Sequence, residues 1–351
     1  MSQLTTIALL FGGANSEHEV SLASARGVLA AIDNAEFDVV LVGADRNGRW
    51  HRVATIDDLT LIDGGSGGGS PLPDLAGIDL ALPVLHGRFG EDGTLQGLLE
   101  LAGVPYAGCG VLASALAMDK HQAARVLRQA GIPVVSGEVV SAAGPAANTV
   151  AATIGYPVFV KPNRSGSSVG VSLVEGEPGL AAAIRMALGH DDLALLQPLD
   201  RGEEIDIGVL QLADGSLVTG AALRVHPAGD APFFDYAAKY TAGGARFEVP
   251  ADLRDQDLAR LSDLAIRAFI ALRCEGLARV DFFMDADGSA RVNEVNTLPG
   301  LSALSQFPAM FRAAGRDLPD VVSTLIARGL AARPKVDSAA RTARASLAAV
   351  H

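Results

Sequence analysis

The sequence predicts an α/β unit followed by two units that mix α and β structure, and three observations carry that expectation. The chain opens as strand, helix, strand; its pattern changes near residues 108 to 117; and two alternating strands meet at Asp287-Gly288 towards the far end. A length of 351 residues leaves room for two or three compact units.

The first unit begins with the apolar run "TIALLFGG", a strand over 5 to 12/13. A helix follows from about Glu17 to Ile32, because Leu22, Ala25, Leu29 and Ile32 fall on one helical face. Ser16 followed by Glu19 fits a capping box at its start. "FDVVLVGAD" (37 to 45) is the second strand of a βαβ beginning with a glycine turn at the helix N-terminus. That turn lacks the G-x-G-x-x-G spacing and a matched acidic residue downstream, so it does not by itself specify a dinucleotide site. "DGGSGGGSPLPD" (63 to 74) reads as a flexible surface loop. "DLALPVL" is a strand leading into the glycine-rich "HGRFGEDG", a short helix and a stop at Gly103 and Pro105.

In the second unit Asp119 can cap a helix through "KHQAARVLRQA", which ends at Gly131 with Pro133 beyond it. "VFVKPNRSGSSVGVSLV" (158 to 174) reads as strand, small-residue loop and strand, in a β-rich unit ending near 197. Its loop has the composition of a phosphate cradle but not the order of a Walker motif. Lys161 precedes the glycines, and more β structure follows them where a Walker loop would open a helix.

The third unit contains "ARVDFFMDADGSARVNEVN" (278 to 296), two alternating strands around Asp287-Gly288 as a two-residue turn. That turn sets Asp281 opposite Glu294 and Arg279 opposite Asn296, with all four on one face. The face is either an exposed, salt-bridged surface or a binding surface for Mg²⁺ carrying phosphates. Magnesium takes oxygen ligands and usually combines one or two carboxylates with substrate phosphate.

Composition narrows the partners. The balance of 49% hydrophobic and 19% charged residues is that of a globular protein with a sizeable core. A formal charge of −12 argues against nucleic acid, whose phosphates demand clustered Lys and Arg. The longest apolar runs fall far short of the roughly 20 residues of a membrane span, and the N-terminus lacks the basic region of a signal peptide. A cytoplasmic protein without a membrane partner is expected. Cys109 and Cys274 have no metal-ligand spacing and read as packing residues in a reducing compartment.

Seven pieces now stand in order between residue 11 and about 300: "FGGANSEHEVSL", "LHGRFGEDGTLQGLLEL", "MDK", "VFVKPNRSGSSVGV", "FFDYAAKY", "GLARVDFF" and "NEVNTLPG". Together they resemble the D-alanine:D-alanine ligase family of the ATP-grasp superfamily. The resemblance implies an ATP-grasp fold of three domains. A Rossmann-like N-terminal α/β domain (1–110) contacts the first substrate. The central subdomain (111–197) carries the phosphate loop, and the C-terminal subdomain (198–335) carries the metal and second-substrate sites. The tail (336–351) has no match and reads as an extra helix or as disordered. The family's reaction consumes ATP and two D-alanines to make D-alanyl-D-alanine for peptidoglycan, through an acyl phosphate. Two Mg²⁺ ions, for which Mn²⁺ can substitute, and a homodimer belong to the same expectation.

Residue by residue, the resemblance assigns Lys120 and Lys161 to the α and β phosphates and Lys239 to the transferred phosphate. Ser167, Ser168, Gln197, Pro198, Leu199, Asp200, Glu204 and Asn293 complete the ATP site. Asp281, Glu294 and Asn296 match the ligands of two Mg²⁺ ions, with Glu294 bridging, and Arg279 would stabilise the acyl phosphate and the tetrahedral intermediate. Glu17 matches the residue that binds the first D-alanine's ammonium and His86 the one near its carboxylate. Ser305 and the Gly300 backbone match the holders of the second carboxylate. Tyr240 would close over the site and link through Ser167 to Glu17. Taken singly, several have ordinary readings: Lys120 as an exposed lysine, Glu17 as compensation of a helix dipole, His86 as a hydrogen-bonded residue, and 232 to 244 as an aromatic-rich surface loop.

The Lys239-Tyr240 pair favours an amine over a hydroxy acid as second substrate. A departure at "QPLD" touches adenine recognition, which in the family uses backbone groups there, whereas those at Phe234 and in "GLSALSQFP" keep open a D-serine, D-lactate or other carboxylate–amine ligase. A non-catalytic nucleotide-binding protein on the same fold is a further reading, against which the retained Lys161, Lys239, Arg279, Asp281, Glu294 and Asn296 speak.

Overall fold

A computed structural model describes residues 4–63, 68–142, 147–167, 169–227 and 245–331. The opening alternation folds as β1 (Thr5–Gly12), α1 (His18–Ala31), β2 (Phe37–Ala44), β3 (Trp50–Val53), α2 (Ile56–Asp63), β4 (Leu80–Pro83) and α3 (Thr94–Ala102). The sheet runs β3-β2-β1-β4, with β1 parallel to both β2 and β4 and β3 antiparallel at the edge. Residues Ile7 to Phe11 are fully buried, which is why β1 reads as one unbroken apolar run. The expected capping box does not form. Glu17 is the N-cap of α1 without a side-chain cap bond, its N–H is taken by Asn15 Oδ1 at 2.8 Å, and Glu19 pairs with Arg46 instead. The Asn15 turn starts the helix after Glu17, which leaves Ser16 out of the capping position.

Next come α4 (Val111–Met118) and α5 (Lys120–Gln129), the latter capped by Asp119 Oδ1, which accepts the Gln122 N–H at 2.9 Å. The second sheet, ordered β5-β8-β6-β7 and wholly antiparallel, is built from β5 (Glu138–Val140), β6 (Val158–Pro162), β7 (Ser172–Val174) and β8 (Ala194–Pro198). Helices α6 (Ala147–Ile154) and α7 (Glu177–Leu188) cover it with a core of their own. The third sheet holds β9 (Glu203–Gln211), β10 (Leu217–Thr219), β11 (Leu223–Pro227), β12 (Ala245–Glu248), β13 (Leu277–Met284) and β14 (Ala290–Asn296). Around it lie α8 (Asp255–Ala271), α9 (Gln306–Ala313) and α10 (Leu318–Ala331).

Chain segments and cores do not coincide. Residues of α4 and α5, among them Ala113, Ala117, Ala123 and Leu127, pack with β9, β13 and α8 in one cluster. From α9 and α10, Phe307, Phe311, Val321 and Leu325 return to Ile7, Leu9 and Phe11 of the first sheet. The third unit is therefore welded to the first, and the segment after β4 meets the loop after β14 where His86 Nδ1 lies 2.9 Å from the Leu298 carbonyl. Cys109 and Cys274 are buried in the same cluster, as packing residues should be. Among the described residues no helix is long and apolar enough to cross a membrane.

The hairpin pairs Arg279 with Asn296 and Asp281 with Glu294 as expected, although its tip differs. Met284 pairs with Ala290 and the Asp285 N–H reaches the Ser289 carbonyl at 2.9 Å, which leaves three residues in the turn. Gly288 sits at φ +86°, the left-handed residue that such three-residue turns need. The register shifts by one between Asp281 and Phe282, making Asn293 an extra residue in β14. The longer turn and the bulge offset each other.

Candidate active site

Two adjoining cavities open where the three sheets meet, one of about 750 Å³ and one of about 350 Å³. Lys120, Ser167, Glu204 and Glu294 line both. Glu17, His86, Arg279, Asn296, Gly300 and Ser305 line the larger one alone, whereas Phe159, Lys161, Asp200 and Asn293 line the smaller.

At the far end of the larger cavity Glu17 projects from the start of α1 and accepts a hydrogen bond from Ser167 of the phosphate loop. Two glycines make room for it. A Cβ on Gly87 would stand 2.2 Å from Glu17 Oε2 and one on Gly166 3.1 Å away. Beside it, His86 is buried with both ring nitrogens engaged: Nδ1 lies 2.9 Å from the Leu298 carbonyl and Nε2 2.8 Å from Ser24 Oγ. A carbonyl only accepts, so Nδ1 carries the hydrogen and the neutral ring's Nε2 accepts from Ser24. Ser24 Oγ also receives the Leu301 N–H at 3.1 Å, and a Cβ on Gly27 would meet the Leu301 carbonyl at 2.5 Å. Helix α1 thus holds the loop that carries Gly300. Burial works to lower the His86 pKa, but the carboxylates of Glu91 and Glu17 outweigh it and leave it raised. Burial likewise pushes the Glu91 carboxyl up, with Glu17 adding to it.

Between the cavities lies the hairpin face. Arg279 donates to both oxygens of Asp281 at 2.6 and 2.7 Å, and Asp206 of β9 lies 3.6 Å from its Nε. Burial disfavours the guanidinium charge, yet Asp281, Asp206 and Glu294 hold it firmly protonated. Lys120 Nζ donates to the Ser165 carbonyl at 2.6 Å and stands 3.4 Å from Glu294, bridging phosphate loop and hairpin. Among the described residues, Asp206, Asp281 and Glu294 gather around Arg279 and Lys120. Among the described residues no three His, Cys, Asp or Glu side chains form a metal cluster on their own. Two carboxylates and a carboxamide suit Mg²⁺, whose remaining positions phosphate oxygens and water would fill.

The family profile described as "D-ala D-ala ligase N-terminus" matches residues 6–109 and that described as "D-ala D-ala ligase C-terminus" matches 126–327. The chain belongs to the D-alanine:D-alanine ligase family. It is 42% identical to D-alanine--D-alanine ligase A of Mesorhizobium japonicum, over 94% of this chain and 99% of the relative. With the D-alanine--D-alanine ligase of Streptomyces griseus it shares 40%, over 92% of each. Among solved structures it resembles the VanG D-Ala:D-Ser ligase of Enterococcus faecalis at 34% identity and TM-score 0.83, covering 93% of this chain and 100% of that one. The D-alanine-D-alanine ligase of Coxiella burnetii gives 29% and 0.83, over 99% of both chains. The fold is the ATP-grasp fold that the resemblance implied.

Within this ligase fold the expected site residues fall into three groups. Glu17, His86, Lys120, Lys161, Ser167, Asp200, Glu204, Arg279, Asn293, Glu294, Asn296, Gly300 and Ser305 converge on the two cavities, with Asp281 buried beneath Arg279. Gln197, Pro198 and Leu199 line neither cavity. Gln197 is buried against Gly137, and the Leu199 N–H is taken by the Pro157 carbonyl at 3.2 Å. Asp200 lines the smaller cavity, yet its carboxylate is held by Arg291 and by the Gly202 N–H. Ser168, Lys239 and Tyr240, with Phe234 and the 336–351 tail, lie outside the described residues.

Sequence reading missed Ser24, Glu91, Asp206, Arg291 and Gln306. Asp206 did leave a signal, an acid inside the apolar strand "EEIDIGVL". Glu91 lies within the "HGRFGEDG" motif without a mark of its own, and nothing local distinguishes Ser24, Arg291 or Gln306.

Proposed function

We propose that this chain joins two D-alanines into D-alanyl-D-alanine at the expense of ATP, releasing ADP and phosphate, as a step of peptidoglycan synthesis. The observation that carries the reading is the pair of adjoining cavities that share Lys120, Ser167 and Glu294. The smaller brings Lys120 and Lys161 beside the small-residue loop, and the larger places Glu17, a carboxylate suited to an ammonium group, with Gly300 and Ser305.

The division of labour follows from the charges. ATP lies in the smaller cavity with its phosphates along Lys161, Lys120 and the backbone of the phosphate loop. The first D-alanine anchors its ammonium on Glu17, oriented by Ser167, and presents its carboxylate to the γ-phosphate. Arg279 balances the charge of the acyl phosphate and then of the tetrahedral intermediate formed when the second amine attacks. Ser305 and the Gly300 backbone hold the second carboxylate. Asp281, Glu294 and Asn296 would hold Mg²⁺, which would supply charge neutralisation at the phosphate oxygens. The family resemblance gives Lys239 to the transferred phosphate and Tyr240 a link through Ser167 to Glu17, and the enzyme works as a cytoplasmic homodimer. A second reading takes D-serine as the second substrate. Gln306, a polar side chain beside Ser305 in the larger cavity, favours it, and a D-Ala:D-Ser ligase is among the similar structures.

The deciding experiment is phosphate release from ATP and Mg²⁺ with D-alanine, D-serine and D-lactate as second substrates. D-alanine should give the highest kcat/KM; a clear preference for D-serine would establish the second reading. Wild-type turnover by Lys239→Ala or Glu294→Gln would refute the assigned roles.

A further inference from the structure

Arg279 is held by two buried carboxylates from two strands. Asp281 binds it through both oxygens, and Asp206, directly opposite Asp281 in the β9–β13 register, stands 3.6 Å from its Nε. Asp206 is 1% exposed. It also accepts a hydrogen bond from Gln306 Nε2 at 3.0 Å, and Gln306 follows Ser305 at the start of α9. One acid therefore ties the arginine to the helix that begins at the second-substrate loop.

A metal on Asp281 would share a carboxylate already bonded to Arg279. Each of its oxygens accepts a guanidinium N–H; a lone pair is left for a metal, but a cation bound there would repel the guanidinium and weaken its hold on Asp281. A buried guanidinium stripped of its carboxylate is strongly unfavourable, so metal binding would be opposed unless a second acid stood ready. Resting on the proposed ligase reading, we infer that Asp206 is a positioning residue that takes over Arg279 when Asp281 turns to the metal. The exchange frees Asp281 while keeping Arg279 charged and in place. The Gln306 amide competes with Arg279 for Asp206 and so sets how readily the exchange occurs.

The test is a Mn²⁺ titration of the enzyme saturated with a non-hydrolysable ATP analogue, followed by the EPR signal of free Mn²⁺, with kcat and thermal midpoint measured alongside. Asp206→Asn should weaken Mn²⁺ binding about tenfold or more, the scale of losing an outer partner of a metal ligand, and should lower kcat. In an Arg279→Ala background the same substitution should leave Mn²⁺ affinity within about twofold, since residues acting through one another lose their separate effects. Unchanged Mn²⁺ binding by Asp206→Asn would overturn the inference. So would an equal loss in both backgrounds, because Asp206 would then act only through its field. If Asp206→Asn does not fold, Gln306→Leu decides: freeing Asp206 for Arg279 should tighten Mn²⁺ binding severalfold, and an unchanged or weaker affinity would refute the exchange. A wild-type enzyme that binds no Mn²⁺ beyond the nucleotide's own, or a Glu294→Gln variant that binds it normally, would overturn the metal site and this inference together. Loss in Glu294→Gln without loss in Asp206→Asn would overturn the inference alone.

Discussion

Asp281 stands directly opposite Glu294 across β13 and β14, while Phe283 stands opposite Arg291 nearer the turn. Residues 291 and 294 are an odd number apart, and strict alternation would send their side chains to opposite faces of the sheet. The extra residue Asn293 resets the phase. Arg291 can then hold Asp200 at 2.5 Å while Glu294 and Asn296 face the site. Deleting Asn293 leaves a strand that cannot serve both ends, and turnover should fall on the order of a hundredfold, as ångström-scale misplacement does. Steady-state ATP turnover together with far-UV circular dichroism checks this; a folded deletion variant with near-normal kcat would contradict it.

Ser167 joins the phosphate loop to Glu17, and it does so from a strained backbone at φ +49°. Ser167→Ala loses a hydrogen bond to a charged group, worth about 1.5–3 kcal/mol. D-alanine-dependent kcat/KM should drop by about 10- to 100-fold, with the KM for ATP nearly unchanged. Ser167→Gly should lose as much activity yet be the more stable of the two, because glycine accepts positive φ without cost. Equal thermal midpoints for the two variants would show that the backbone at this position relaxes.

Gly87 combines φ +72° with a Cβ position 2.2 Å from Glu17 Oε2. Gly87→Ala should therefore cost about 1–3 kcal/mol of backbone strain and push Glu17 out of line. The expected result is a lower melting temperature and a raised KM for D-alanine, read from initial rates over a range of D-alanine concentrations. A variant with only the stability loss would place Glu17 outside first-substrate binding.

His86 and Glu91 should make stability depend on pH. Both have raised pKa values in the fold, so both favour folding in their protonated forms. The His86 contribution is fully present below its ordinary value of 6.5 and is lost as pH rises through its raised folded value. Glu91→Gln removes the carboxylate that raises His86. The melting-temperature advantage of wild type over Glu91→Gln should shrink as pH rises above 6.5. An advantage that grew with pH would mean that the pair is not coupled in this way.

Much of the candidate site was legible in the sequence. The alternation of Arg279 and Asp281, with Glu294 and Asn296 beyond a turn, announced a polar face on a hairpin, and the order of Lys161 and its glycines excluded a helix-opening loop. Local pattern determines such things because side-chain direction repeats with the backbone period. Even there the turn had three residues where two were expected, and the pairing survived because a bulge offset the difference.

What the tertiary structure decided was which groups are already taken. His86 is engaged by Ser24 and Leu298, Asp200 by Arg291, and Asp206 stands behind Arg279 as a second acid. The partners of His86 lie 62 and 212 residues away, and Asp200 and Arg291 are 91 apart. The sequence by itself determined the elements, the chemistry of their faces and the pairing of one hairpin. The packing of distant segments decided the rest, because a buried polar group must find its partner wherever that packing brings one.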